Sequence, residues 1–213
     1  MRKIKVAPSI LSGDFANMSV SVKNAQKWGA DYIHFDVMDG VYVPNITFGM
    51  QMCKAIRPYT DLPLDVHLMI VHPEKYVEQF CDAGADIVSF HPDATSDVLS
   101  TIEKIRNKGK KVGLVLNPNK DVSLIEPYFD KIDMVIIMGV YPGFGGQKFI
   151  PEVLEKVKYI RSICPDLDIE LDGGVNEQNA KTITDAGVNI LVGGSSVYQS
   201  SDPEKTIRRL KGE

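Results

Sequence analysis

One phrase recurs in this chain, and it restricts the fold more than any other feature. Trp28-Gly29-Ala30-Asp31 leads into Tyr32-Ile33-His34-Phe35-Asp36-Val37. Ala83-Gly84-Ala85-Asp86 leads into Ile87-Val88-Ser89-Phe90-His91, and Ala186-Gly187-Val188-Asn189 into Ile190-Leu191-Val192-Gly193. Each copy reads as a helix end, a glycine in the left-handed geometry that closes a helix, and a buried strand. The spacings of the three glycines fit two and four copies of a unit of about 27 residues, the size of one strand, one helix and two short loops.

Filling the intervals gives eight strand candidates, near 4–10, 32–37, 64–69, 86–91, 112–116, 133–139, 168–172 and 190–193. Helix-period stretches lie between them, the clearest at 18–28, 73–83, 98–108, 151–163, 177–186 and 203–211. Strands alternating with helices make a parallel sheet. Eight such units in 213 residues predict an α/β fold, a closed (β/α)8 TIM barrel in a single domain over 1–213, shorter than the usual barrel of about 250 residues. An open doubly wound sheet is the alternative. It would carry a glycine-rich dinucleotide loop after the first strand, where this chain has Pro8-Ser9-Ile10-Leu11-Ser12.

Charge narrows the partners. The net charge is −4, with both signs scattered, so no basic block points to nucleic acid or an anionic membrane. The longest apolar runs are strand-sized, well short of the roughly 20 residues that span a bilayer. The opening Met-Arg-Lys-Ile-Lys-Val passes into a strand pattern without an apolar leader core. Cys53, Cys81 and Cys164 are odd in number, lack CxxC spacing and read as buried small hydrophobes in a reducing cytoplasm. Small barrels often pair, so a homo-oligomer is expected.

In a barrel the active site lies at the carboxyl ends of the strands. Side chains alternate along a strand, so His34 and Asp36 share one side. His67 ends the third strand, Asp172 the seventh and Ser9 the first. Two imidazoles and two carboxylates on one rim form a mixed nitrogen and oxygen donor set. It suits one divalent ion of the Zn, Fe(II), Mn or Co type rather than Ca or Mg. A lone strand histidine is more often a satisfied core residue, and a lone strand-end aspartate a helix cap; four together favour a metal. Asp65 and Glu170 point the same way as His67 and Asp172, and are read as orienting them. His91 ends the fourth strand as an outer partner, and His72 opens a helix.

Three glycine-rich turns follow the last three strands: Gly143-Phe144-Gly145-Gly146, Gly173-Gly174 and Gly193-Gly194-Ser195-Ser196. Barrel loops after strands seven and eight commonly hold phosphate, and glycine lets backbone N–H groups approach the anion. Asp36 and Asp172, from strands facing each other across the rim, would pass a proton between the two faces of a planar enediolate. A divalent metal would stabilise that enediolate as a Lewis acid. Met38, Met69 and Met138 at strand ends read as core filling or as an apolar cap that keeps water from the enediolate. A metal-dependent barrel hydrolase and a binding module without catalysis are the rival classes. No strand-end lysine offers a Schiff base.

The chain resembles the ribulose-phosphate 3-epimerases from Ala7-Pro8-Ser9-Ile10-Leu11 to Gly194-Ser195. The specific stretches are His34-Phe35-Asp36-Val37-Met38-Asp39-Gly40, Val43-Pro44-Asn45-Ile46-Thr47-Phe48-Gly49, Asp65-Val66-His67-Leu68-Met69, Pro142 to Gln147 and Asp172-Gly173-Gly174-Val175. The resemblance implies interconversion of D-ribulose 5-phosphate and D-xylulose 5-phosphate in the pentose phosphate pathway. It implies metal ligands at His34, Asp36, His67 and Asp172, with Asp36 and Asp172 as the acid/base pair. Substrate contacts are implied at Ser9, His67, Gly143 to Gly146, Asp172, Gly173, Gly174, Gly194 and Ser195, and a methionine cap at Met38, Met69 and Met138. Val41-Tyr42, Tyr141 and Asp93 depart from the usual family pattern. Hexulose 6-phosphate 3-epimerases are close relatives and differ at the Gly145-Gly146 and Gly173-Gly174 pairs, so a pentulose phosphate is the implied substrate.

Overall fold

The computed structural model describes residues 2–213. Its eight strands are β1 (Lys5–Pro8), β2 (Ile33–Met38), β3 (Leu64–Met69), β4 (Ile87–Phe90), β5 (Lys111–Leu116), β6 (Met134–Met138), β7 (Asp168–Asp172) and β8 (Ile190–Gly193). All pair in parallel, in the order β1-β8-β7-β6-β5-β4-β3-β2. The seam between β1 and β2 is closed by a parallel bridge from Ser9 to His34. The sheet is therefore a barrel as expected, and its closing contact lies directly beneath the rim.

The helices are α1 (Met18–Lys27), α2 (Met50–Ile56), α3 (Val77–Asp82), α4 (Val98–Asn107), α5 (Leu154–Ile163), α6 (Ala180–Asp185), α7 (Ser195–Tyr198) and α8 (Pro203–Leu210). Their ends follow local chemistry. Asp97 caps α4 by accepting from the Ser100 N–H at 3.0 Å, and Asp202 caps α8 just before Pro203. Gly29, Gly84 and Gly187 all take positive φ, at 86°, 108° and 120°, so the repeated phrase marks helix ends as read. The helix expected over 73–83 opens with a 3-10 turn at Pro73–Lys75, and the one over 151–163 with a 3-10 turn at Pro151–Val153. Proline supplies no N–H to an α-helical ladder, which favours such openings. The strand-to-helix connection after β5 holds only 3-10 turns, Val122–Leu124 and Glu126–Lys131.

Two apolar layers separate inside from outside. Phe35, Leu64, Leu68, Phe80, Phe90, Ile105 and Leu114 are fully buried between sheet and helices. Each such side chain contributes roughly 1.5–3 kcal/mol by burial. Within the barrel, Ala7, Ile87, Val115, Ile136, Ile190 and Val192 fill the sides formed by β1, β4, β5, β6 and β8. The interior under β2, β3 and β7 is instead polar: His34, Asp36, Asp65, His67, Glu170 and Asp172 are all buried. Buried charge is retained only where it is paired, and that asymmetry positions the site. Among the described residues, no helix is long and apolar enough to cross a membrane.

Candidate active site

Strand register builds the centre. β2 and β3 align His34 with Asp65, Asp36 with His67 and Met38 with Met69, while β6 and β7 align Met138 with Asp172. His34 Nε2 lies 3.3 Å from Asp36 Oδ1 and 3.7 Å from Asp172 Oδ2. His67 Nδ1 lies 3.4 Å from each of the same two oxygens. The four donor atoms sit within 4.8 Å of one another. Both imidazole nitrogens are buried and have no hydrogen-bond partner.

Two orphaned nitrogen lone pairs beside two carboxylate oxygens are what a divalent cation requires. Four N/O ligands about 2.1 Å from a tetrahedral ion would stand about 3.4 Å apart, matching the four nitrogen–oxygen separations. The residues therefore fit the metal that the donor chemistry suggests.

The same packing sets the charges. Burial alone would lower the His34 pKa, but Asp36, Asp65 and Glu170 around it raise it well above the ordinary histidine value. Burial likewise opposes the charged form of His67, and contacts with Asp172 and Asp36 raise its pKa. Burial would raise the Asp36 pKa, yet the two imidazoles hold it far below the usual carboxylate range. For Asp172, burial and the Asp36 charge push upward, and the imidazoles still bring it below its ordinary value. The imidazoles and the carboxylates thus stabilise each other's charged forms in the free site.

Asp65 and Glu170 behave differently from the reading that paired them with His67 and Asp172. Both converge on His34 Nδ1, Asp65 Oδ2 at 2.8 Å and Glu170 Oε1 at 3.3 Å. Same-side neighbours along one strand stand about 6.6 Å apart, so Asp65 finds its partner on the adjacent β2, and Glu170 reaches the same atom across the barrel interior. Burial and the Asp65 charge push the Glu170 pKa well above its ordinary value, against the pull of His34, which favours the neutral form of Glu170.

Above this floor opens a cleft of about 330 Å³. Asp36 and Asp172 reach its floor, with Ser9 beside them; Ser9 Oγ donates to Asp36 Oδ2 at 2.5 Å. Met38, Met69 and Met138 line it and are at most 4% exposed. Gly143, Phe144, Gly145 and Gly146 form one wall, Gly173 and Gly174 the next, and Gly194 with Ser195 the third. His34 and His67 lie beneath the floor, with no exposed surface. Gln147, Asn176 and Ser196 also line the cleft. Ser196 was legible as a second hydroxyl in its turn. Asn176 carried no signal, because it only follows the diglycine turn. His72 is remote from the centre, exposed and paired with Glu74.

Two of the positions that depart from the family pattern meet each other. Tyr42 Oη donates to Asp93 Oδ1 at 3.0 Å and accepts from Asn117 Nδ2 at 2.8 Å. Lys120 pairs with the other Asp93 oxygen at 3.0 Å. The phenolic oxygen and the carboxylate form a hydrogen-bonded pair joining three loops of the rim.

Comparison with known proteins places the chain in a family. The sequence pattern of the ribulose-phosphate 3 epimerase family matches residues 5–198. The ribulose-phosphate 3-epimerase of Bacillus subtilis is 52% identical over 214 residues, covering 98% of this chain and 99% of that protein. The ribulose-phosphate 3-epimerase of Synechocystis is 48% identical, covering 99% and 94%. The structure of 3-hexulose-6-phosphate synthase from Salmonella typhimurium superposes with a TM-score of 0.73 over 98% of this chain and 97% of that one. At 20% identity it shares the fold alone. Half of all positions shared with full-length relatives, on a barrel that brings together the polar residues of β2, β3 and β7, leave one assignment: the chain belongs to the ribulose-phosphate 3 epimerase family.

Proposed function

We propose that this chain interconverts D-ribulose 5-phosphate and D-xylulose 5-phosphate. The observation that carries the reading is the convergence of Asp36 and Asp172, from opposite walls of the cleft floor, on the same two orphaned imidazole nitrogens. One carboxylate takes the C3 proton from its face of the substrate. The electron pair left behind delocalises into the neighbouring carbonyl as an enediolate, and the other carboxylate, in its acid form, returns a proton to the opposite face. Ser9 Oγ, donating to Asp36 Oδ2, fixes the angle of that carboxylate. Met38, Met69 and Met138 offer no acidic proton and exclude water from the carbanion. Backbone N–H groups of Gly143 to Gly146, Gly173, Gly174 and Gly194, with Ser195, hold the phosphate end.

His34, Asp36, His67 and Asp172 would hold one divalent cation, which supplies Lewis-acid stabilisation of the negative charge developing on the substrate oxygens. Zinc, iron(II), manganese and cobalt suit the donor set.

The test is incubation with D-ribulose 5-phosphate in D₂O, following C3 by proton NMR. Loss of the C3 proton signal with formation of D-xylulose 5-phosphate, abolished by a chelator and restored by metal, is expected. Asp172→Asn should lower turnover about 10²- to 10⁴-fold. No exchange in metal-loaded protein would refute the assignment, and turnover of D-allulose 6-phosphate instead would move it to a hexulose phosphate.

A further inference from the structure

His91 lies one residue beyond β4, fully buried, and touches the centre without belonging to it. Its Nε2 is 3.0 Å from His67 Nε2, the two ring centroids being 5.1 Å apart. Two imidazole nitrogens at that distance share one proton, so one donates and the other accepts. The remaining nitrogen of His67, Nδ1, is the orphaned atom facing Asp36 and Asp172. A cation held there uses the Nδ1 lone pair, which leaves the His67 proton on Nε2. His91 Nε2 is then the acceptor, and the His91 proton resides on its Nδ1.

The outer side of His91 is covered by Tyr42, whose ring centroid is 4.7 Å away. That ring is anchored at its hydroxyl by Asp93 and Asn117, which belong to the loops after β4 and β5. The two imidazoles of the centre are therefore backed differently. His34 Nδ1 rests on the carboxylate of Asp65, whereas His67 Nε2 rests on another imidazole. An imidazole acceptor fixes the ligand's ring and tautomer, as outer partners of metal-bound histidines do. It does so without adding a further anion to a site already crowded with carboxylates.

We propose that His91 is a positioning residue: it accepts the Nε2–H of His67 and so holds the tautomer that directs Nδ1 into the four-residue centre, with Tyr42 holding His91 in place. The inference rests on the reading of that centre as a divalent-cation site.

The direct test is two-bond proton–nitrogen NMR of zinc-loaded protein labelled with ¹⁵N at histidine, where only four rings contribute. His67 protonated at Nε2 and His91 at Nδ1 are expected, and the reverse assignment for either ring overturns the proposal. The second measurement is cobalt affinity from visible absorption of the full chain. His91→Leu should weaken cobalt binding about 10- to 100-fold. His91→Gln, whose carbonyl oxygen can accept in place of Nε2, should recover most of it. Unchanged affinity in His91→Leu, or equal loss in both variants, overturns the role of His91 alone. Failure of the unsubstituted protein to bind cobalt overturns both this inference and the reading of the centre.

Discussion

Gly146 and Gly174 stand on neighbouring walls of the cleft with nearly the same backbone angle, φ of 74° and 72°, but in different surroundings. A Cβ added at Gly146 meets nothing within 4 Å. At Gly174 it would come within 2.7–2.8 Å of the Phe149 backbone Cα and N and of its Cβ. An alanine at either position bears the left-handed penalty of about 1–2 kcal/mol. Only Gly174→Ala adds a clash with main chain that cannot rotate away, worth about 1–3 kcal/mol as overpacking. At roughly 2–4 °C per kcal/mol for a domain of this size, Gly146→Ala should lower Tm by about 2–8 °C. Gly174→Ala should lie about 2–12 °C below it. Phe149 leads out of the β6–α5 loop, so relief of the clash spreads the Gly143–Gly146 wall from the Gly173-Gly174 wall. The Gly174 variant should therefore also raise KM for the sugar phosphate while leaving cobalt affinity unchanged. Thermal melts and initial-rate kinetics on the two variants side by side provide the assay. Equal Tm values, or a Gly174→Ala enzyme with unaltered KM, would refute the claim that the close approach of these two loops shapes the phosphate end.

Two further expectations concern carboxylates held by hydrogen bonds. Glu170→Gln keeps the shape of the neutral form that burial favours and should change cobalt affinity less than threefold, whereas Asp65→Leu removes the hydrogen-bond partner of His34 Nδ1 and should weaken it about 10- to 100-fold; visible titration with cobalt compares them. Asp39 accepts from the N–H groups of Val41, Tyr42 and Val71 at 2.8–2.9 Å, and although burial opposes ionisation these donors lower its pKa. Asp39→Asn should cost about 1–3 kcal/mol near pH 7. Because the folded pKa is depressed, that difference is fully present above the unfolded value of about 4 and shrinks as pH falls below it. Urea denaturation of both proteins from pH 7 to pH 3 measures this, and a difference that grows on acidification would contradict the sign.

The eight strands were legible because strands covered on both faces read as short apolar runs, and glycine-closed helices announced three of them. Helix α2 was not read, since Met50–Ile56 is short and is closed at once by a 3-10 turn at Arg57–Tyr59 containing Pro58. The connection after β5 offered no α-helical period and holds none; Pro127 interrupts it. The polar residues at strand ends were legible as a set because alternation puts His34 beside Asp36 on one side, and the fold rule assigns the rim.

What the sequence concealed is which of those residues touch, since contact depends on register between strands rather than on order within one. The β3–β4 register aligns His67 with Ser89, so His91 stands two positions further along, toward the rim, and only the ring lengths bring the two imidazoles together. Ser9 meets Asp36 only because the barrel closes at the Ser9–His34 bridge; in an open sheet the same residues would lie on opposite edges. The same dependence explains why Asp65 and Glu170 both turn to His34 and not to their own strand neighbours. Closure of the seam and assembly of the centre are thus one event. A chain that forms its strands but leaves β1 unpaired from β2 would expose Asp36 without its Ser9 donor, so folding of the barrel and shaping of the proton-transfer floor stand or fall together.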